Sequence, residues 1–157
     1  LELVEAMIAG LMQFDGRTLE SMRMERFWDV ERMMWFGPAG IGSCRGLKGF
    51  QDVHQRPFLA AFPDRVGGNH KCRIGEGAYV ASTGWPSIRA THAGGDFLGL
   101  PATNRRITMR VMDFWRRDGE RLVENWVFID LPELLLQMGF DVFARHASHP
   151  ARANVRR

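Results

Sequence analysis

Apolar residues in the first part of the chain recur three and four positions apart, which is the spacing of amphipathic helices. The spacing predicts a first helix that stops before Asp15-Gly16, a second over residues 18–27 with Thr18 as its cap, and a third over 47–62. Pro57 is expected to kink the third helix or to mark the start of a new turn. The first helix would bury one face, which is formed by Leu3, Val4, Met7, Ile8 and Leu11.

The pattern after Pro63-Asp64 is that of strands. Residues 30–36 already predict a short strand, and 37–49 predict a glycine-rich loop. Asp118-Gly119 is a hairpin signal, and LPELLLQMG predicts a last helix that ends at Gly139. The longer strands are predicted at about 69–74, 78–91, 106–116 and 121–129.

The predicted order is helices, then antiparallel strands, then one more helix, which is typical of an α+β fold. We expect a single domain over residues 1–157, built on a curved, mostly antiparallel sheet. The N-terminal helices would lie across the concave face of the sheet, and a short C-terminal helix would close the fold. This arrangement leaves a pocket between sheet and helices, where a ligand can bind.

The chain is basic, with 21 Lys and Arg residues against 18 Asp and Glu and an isoelectric point of about 9.4. Four of the arginines lie in residues 144–157, a segment without acids. Without those four, 17 basic residues remain against 18 acidic ones, so the body is close to neutral. We therefore predict a flexible basic tail and no nucleic-acid partner.

Cys44 and Cys72 are isolated and form no CxxC pair, which favours a reducing compartment. No apolar run approaches the ~18 residues that a membrane span needs, and the first residues, LELVEAMIAG, lack the basic segment of a signal peptide. We expect a cytoplasmic protein without a membrane partner. Since no His or Cys pair has metal-ligand spacing and no phosphate-binding motif occurs, we expect neither a metal nor a nucleotide.

The segment ENWVFID, which leads into the last helix, places chemically mixed side chains on one face of a strand. With a period of two, Glu124, Trp126, Phe128 and Asp130 share that face. Either a polar pocket opens there, or Asp130 belongs to the following helix. The opposite face holds Asn125, Val127 and Ile129.

Several short motifs follow one another from residue 90 onward: Thr-His, GxPxT, an aromatic-Arg pair before an Asp-Gly turn, E-x-W, a single Asp and a Q-x-G helix end. They are met by Thr91-His92, Gly99 to Thr103, Trp115-Arg116, Glu124, Trp126, Asp130 and Gln137 to Gly139. With these motifs the chain resembles the SnoaL-like polyketide cyclase family, over roughly residues 20–143. The resemblance implies the cone of the nuclear-transport-factor-2-like fold, which ketosteroid isomerase and scytalone dehydratase share.

The chain departs from the family pattern by an extra residue between His92 and Phe97, by Asn104 where Gly is frequent, and by Asn125 where His is frequent. Asn tolerates the left-handed backbone conformation, so the departures concern the substrate more than the fold. The resemblance implies an intramolecular aldol condensation that closes a polyketide ring without metal or organic cofactor. An Asp is the general acid and base, and Asp130 occupies its place. The resemblance also implies a homodimer that pairs through the open sheet face.

Asp130 has two interpretations. Asp130-Leu131-Pro132-Glu133 is a capping-box pattern, in which the Asp130 carboxylate accepts from the first turn of the helix and Glu133 reaches back. Alternatively, Asp130 is a base at the floor of a pocket, where Trp126 and Phe128 exclude water.

Four further residues are candidates for the pocket. Trp35 would form an aromatic wall, and His54 and His92 either polarise a substrate carbonyl or are structural. Asp113 either pairs with an arginine or serves the pocket. The remaining histidines are predicted to lie at the surface, namely His70, His146 and His149.

The predicted function is a cyclase-type or isomerase-type enzyme that moves a proton on a hydrophobic, carbonyl-containing ligand, with flat aromatic compounds among the candidates. A second hypothesis is water addition or elimination, as in epoxide hydrolases and dehydratases, which needs a polar partner for the water. A third is a ligand-binding or assembly module without chemistry, since fold alone does not decide function. A deep pocket with Asp130 at its floor would favour the enzyme, and an outward Asp130 the module.

Overall fold

The computed structural model describes residues 1–67 and 70–147. Its strands are β1 (Met34–Phe36), β2 (Ser43–Arg45), β3 (Cys72–Glu76), β4 (Tyr79–Thr91), β5 (Arg106–Asp118) and β6 (Arg121–Ile129). They form one curved, unclosed sheet in the order β2-β1-β6-β5-β4-β3. Neighbouring strands are antiparallel except β1 and β6, which run parallel.

The helices are α1 (Glu2–Leu11), α2 (Gly46–Phe50), α3 (Arg56–Ala61), α4 (Leu131–Gln137) and α5 (Val142–Ala147). One turn of π-helix, Gln51–Gln55, joins α2 to α3 and makes a nearly continuous helix of them. The predicted kink residue Pro57 lies in the first turn of α3, directly after this π segment.

The sheet and helices bury two apolar clusters. In the first, Met7 of α1 packs with Trp28, Trp35 and Trp115. In the second, Phe62, which follows α3, packs with Met109 and Val111 of β5, with Leu134 of α4 and with Met138, which follows α4.

The α+β class, the first and third helices, the last helix and the long strands are confirmed. The β5–β6 hairpin turns at Gly119-Glu120, where Gly119 has φ 57°, a conformation that glycine adopts without a steric penalty. Strand β6 has the predicted bounds.

Two predicted elements are wrong. Instead of a helix over 18–27, the structure has two short 3-10 turns, Leu19–Met22 and Met24–Arg26, separated by Arg23 with φ 52°. Because that left-handed residue interrupts the helical path, the apolar side chains reach the core from separate turns. The loop predicted over 37–49 contains β2 and the start of α2.

Alternate residues of β5 and β6 face opposite sides of the sheet. The side toward the helices holds Val111, Asp113 and Trp115 of β5 and Asn125 and Val127 of β6. Thus the even-numbered residues within 106–116 of β5 and 124–128 of β6 form the outer face, whereas Leu122, which lies beyond a bulge in the ladder, is buried in the first apolar cluster.

The predicted basic tail falls mostly on residues 148–157, which lie outside the described residues. Its first four positions, 144–147, belong to α5. Within the described ranges, no helix is both long and apolar enough to cross a lipid bilayer.

Candidate functional site

A cavity of about 170 Å³ lies between the concave face of the sheet and the helices. Most of its wall is apolar and comes from α1, the π-containing helix and the centre of the sheet. The apolar side chains include Met7, Met24, Trp28, Trp35, Phe50, Phe58 and Trp115. An apolar cavity with a few polar groups is the usual form of a small-molecule site.

Asp113 is the carboxylate in the cavity wall. Its residue is only 8% exposed, and β5 directs the side chain inward between Val111 and Trp115. The amide of Asn125, on the adjacent strand, donates to Asp113 Oδ1 at 3.2 Å and to the carbonyl of Phe114 at 3.1 Å. The carboxylate is therefore held by its neighbour and still borders the cavity.

Burial raises the pKa of Asp113 to about 7, and the hydrogen bond from Asn125 offsets part of that rise. The cause is the apolar surroundings, which disfavour the charged carboxylate. A group with a pKa near neutral pH can both accept and return a proton, which is the property required of a general acid–base.

His70 lies beside Asp113. Its Nδ1 is 4.0 Å from Asp113 Oδ2 and shares a hydrogen bond of 2.8 Å with the hydroxyl of Ser82 on β4. Burial lowers the pKa of His70, so its neutral form is favoured. The surface position predicted for His70 is wrong, because its ring lies in the cavity wall against Ser82 of β4 and Asp113 of β5.

His54 and Trp35 form a stacked pair in the cavity wall, with ring centres 4.3 Å apart and planes inclined by 17°. The π turn places His54 between Phe50 and Phe58, whose ring centres lie 5.4 and 5.3 Å away. Burial, with the positive charge of Arg65 as a second cause, lowers the pKa of His54 to about 4. The ring is thus neutral at physiological pH.

The part of the chain that the structure describes contains no group of three or more His, Cys, Asp or Glu residues able to hold a metal ion. The polar groups of the cavity wall are carboxyl, imidazole, amide and guanidinium, which suit proton transfer and the orientation of a carbonyl.

A family model described as SnoaL-like polyketide cyclase matches residues 23–138, which is most of the chain. The chain belongs to the SnoaL-like polyketide cyclase family. A comparison with curated proteins gave no match.

Solved structures of SnoaL-like and related proteins share the fold. IdmH from Streptomyces antibioticus, a proposed polyketide cyclase, is 26% identical with a TM-score of 0.66, over 88% of this chain and 99% of that one. AclR from Streptomyces galilaeus, a proposed hydroxylase, is 22% identical with a TM-score of 0.65, over 88% and 93%. An NTF2-like protein from Burkholderia thailandensis is 17% identical with a TM-score of 0.66, over 87% and 95%.

Three of the seven side chains predicted for the site of this SnoaL-like chain line the cavity, namely Trp35, His54 and Asp113. The pattern did not single out four further polar residues of the wall: His70, Asn125, Gln55 and Arg65. Asn125 carried a signal, since it is a polar residue that shares its face of β6 with Val127 and Ile129.

Asp130 is not one of the described residues that line this cavity. It is the N-terminal cap of α4, where Oδ1 accepts from the N–H of Glu133 at 3.3 Å and Oδ2 lies 3.2 Å from Arg110. Glu133 does not complete the capping box, because the N–H of Asp130 donates to the carbonyl of Arg110 at 3.1 Å, while Glu133 accepts from Gln137. The structure thus gives Asp130 the capping position that the sequence offered as one of two interpretations.

Trp126 and Phe128 lie on the outer face of the sheet, away from the cavity that they were expected to line. Trp126 stacks on Phe36 at 5.6 Å, and Phe128, which is 57% exposed, meets Phe114 edge to face at 6.1 Å. The alternation along β6 was right, but the face chosen for the pocket was the outer one.

His92 is fully buried and packs between Phe62 and Phe97. It is not one of the described residues that line the cavity. Its Nδ1 accepts from the N–H of Thr103 at 3.3 Å, and its Nε2 has no hydrogen-bond partner in the described part of the chain. The contact joins the end of β4 to the loop before β5, so the position of His92 is that of a structural residue.

Proposed function

We propose that the protein is a SnoaL-like enzyme of the cyclase type, which performs acid–base chemistry without a cofactor on a hydrophobic carbonyl compound. The observation that carries this proposal is the Asp113 carboxyl group, which is buried in an otherwise mostly apolar cavity and has a pKa raised to about 7. The family to which the chain belongs and the likeness to IdmH, a proposed polyketide cyclase, support a polyketide as the class of ligand.

In the proposed reaction, ionised Asp113 takes a proton from a C–H group next to a ligand carbonyl, which leaves an enolate. The enolate carbon attacks a second carbonyl of the same molecule, and one carbon–carbon bond forms. The resulting alkoxide takes the proton back from Asp113, so the product is an isomer of the ligand and no oxidant or reductant is consumed. Asn125 would hold the carboxylate in place, and the neutral rings of His54 and His70 would orient ligand oxygens.

We propose Asp113 as the base in preference to Asp130, which the family resemblance had indicated. Asp130 already accepts from the first turn of α4 and pairs with Arg110, and its side chain borders solvent on the outer side of the sheet. Asp113 has the apolar environment that strengthens a carboxylate as a base toward carbon acids.

Titration of the carboxyl carbon resonances by NMR tests this proposal, with the Asp113→Asn variant assigning the resonance. We expect an apparent pKa close to 7 for Asp113, and we expect a hydroxyanthraquinone, as a flat polyketide-like probe, to shift that resonance. A value near the ordinary 3.8 would contradict a desolvated base. A ketone with an acidic C–H group, such as β-tetralone, that binds without any catalysed exchange of its C–H protons would support the binding module instead.

We also propose a homodimer that pairs through the outer face of the sheet. Large side chains are exposed there, including Trp85 at 73% and Phe128 at 57%. Burial of such aromatic surface favours association. We expect sedimentation to give the mass of two chains and Trp85→Glu to shift it toward one; a wild-type protein that sediments as one chain would contradict the dimer.

A further inference from the structure

Arg65 is a cation in the cavity wall that no acidic side chain neutralises. It lies between α3 and β3, and its guanidinium group is 5.8 Å from the ring centre of Phe14. Every Asp and Glu of the chain lies within the described ranges, and there none comes within the 4.0 Å of an ion pair with Arg65. An unpaired cation beside apolar surface is costly, so a partner is to be expected.

The other ionisable groups of the wall do not compensate this charge. Burial favours the neutral forms of His54 and His70, and it raises the pKa of Asp113 to about 7, which favours the neutral carboxyl group below that pH. Burial also lowers the pKa of Arg65, which reflects poor hydration of its charge. While Asp113 is protonated, Arg65 therefore gives the cavity one positive charge that a ligand with one negative charge would balance.

We propose that Arg65 binds an anionic group of the ligand, so that the substrate class is a hydrophobic carboxylic acid with a reactive carbonyl at its other end. This inference rests on the proposed function, since the same cavity holds the ligand. The planar guanidinium group can donate two parallel hydrogen bonds to a carboxylate, and the Phe14 ring limits its orientation. The acid end would lie at Arg65 and the carbonyl end at Asp113.

The test compares two probes of equal shape, β-naphthoate and β-naphthamide, whose binding is measured by calorimetry at neutral pH. We expect the wild type to prefer the acid by about 10-fold or more, because hydrogen bonds to charged groups are worth about 1.5–3 kcal/mol. Arg65→Met should remove this preference and leave the affinity for the amide within about threefold. Arg65→Lys should retain part of the preference, since it keeps the charge and loses the planar fork.

Arg89→Met is the matched control. Arg89 pairs through its backbone with Val66, next to Arg65, but its side chain is exposed and outside the cavity lining. The variant removes the same charge from the same region, so the preference for the acid should persist. If the preference for the acid falls equally in the Arg65 and Arg89 variants, the effect is general electrostatic attraction, and the proposal is wrong.

Two further outcomes would also decide the question. If the wild type binds β-naphthoate and β-naphthamide equally, Arg65 does not bind the anionic group, although the cavity still binds the ligand. If neither probe binds, the cavity does not accept flat aromatic compounds, and both this inference and the ligand class of the proposed function fall. Binding of the amide thus tests the cavity, and the difference between the probes tests Arg65.

A ligand-free measurement separates binding from a structural role. Because the positive charge of Arg65 is one of the two causes that lower the pKa of His54, Arg65→Met should raise that pKa in an NMR titration of the imidazole. β-Naphthoate bound to the wild type should raise it as well, since the bound anion neutralises Arg65. The melting temperature of Arg65→Met should not fall, because no ion pair is lost. A fall in melting temperature without a change in the pKa of His54 would indicate that Arg65 is a structural residue, which would contradict the proposal.

Discussion

Replacing Asp113 by Asn is expected to abolish proton exchange on a bound ketone, with a loss of about 10²- to 10⁴-fold in rate. The probe is β-tetralone, a hydrophobic ketone with an acidic C–H group, and the readout is deuterium uptake from heavy water by mass spectrometry. Asn keeps the size of the side chain and can still accept from Asn125, but it cannot take up a proton from carbon. The assay needs no knowledge of the natural substrate.

Asp130→Asn is the matched variant, because it makes the same chemical change at the other candidate carboxylate. Asn is a good helix cap, so α4 should remain intact and the exchange rate should stay within about threefold of the wild type. Loss of exchange in Asp130→Asn alone would return the role of base to Asp130. No exchange above the buffer rate in the wild type would favour a ligand-binding module.

The Asp113→Asn protein should also be more stable than the wild type, which shows that lost exchange is not lost folding. Burial raises the pKa of Asp113 in the folded state to about 7 from the ordinary 3.8. Between these values the unfolded chain ionises first, so the folded wild type loses stability as the pH rises. Asn does not ionise, so the free energy of unfolding of the variant does not fall in this way. Its excess over the wild type should be on the order of a few kcal/mol above about pH 7 and vanish toward about pH 4.

Phe62→Ala is expected to lower the free energy of unfolding by about 3–5 kcal/mol, measured by urea denaturation. The Phe62 side chain is fully buried, with ring centres 5.2 Å from Phe58, 5.0 Å from Phe97 and 5.4 Å from His92. Truncation would leave a cavity where β4, α3 and the loop before β5 meet. Since domains are stable by only about 5–15 kcal/mol, the variant should be markedly sensitive to heat.

Phe143→Ala is the control for this loss. Phe143 lies on α5 and is 72% exposed, so its truncation should change the free energy of unfolding by no more than about 0.5 kcal/mol. A loss below about 1 kcal/mol at Phe62 would mean that the surrounding rings close the gap and that this cluster contributes less than its burial indicates.

Elements with a strong local signal could be predicted from the sequence. The Asp-Gly turn and the alternation of residues predict β5 and β6, and the structure confirms the turn and the bounds of β6, while β5 extends two residues further than predicted, to Asp118. The second helix could not be predicted correctly, because its apolar spacing is also met by two short turns. The turns are separated by Arg23, whose backbone is in the left-handed conformation. Arginine rarely adopts this conformation, so the sequence does not indicate it.

The candidate site was less predictable because it depends on contacts between distant parts of the chain. Alternation separates the residues of β6 into two faces, but only the neighbouring strands and helices decide which face is covered. Trp126 and Phe128 have the bulk of pocket residues and lie outside, whereas Asn125 lies inside next to Asp113. His70 lines the cavity through contacts with Ser82 and Asp113, which are distant in sequence, and no local pattern encodes such contacts.

The π turn at Gln51–Gln55 makes the cavity sensitive to chain length as well as to side-chain identity. Each helical residue advances the chain by about 100° around the axis, so deleting one residue there would rotate one half of the helix against the other. His54 and Phe58 would then no longer share an angular position with Phe50. A one-codon insertion or deletion in this turn is therefore a short evolutionary route to a new ligand specificity, because it rearranges one wall of the cavity and leaves the sheet unchanged.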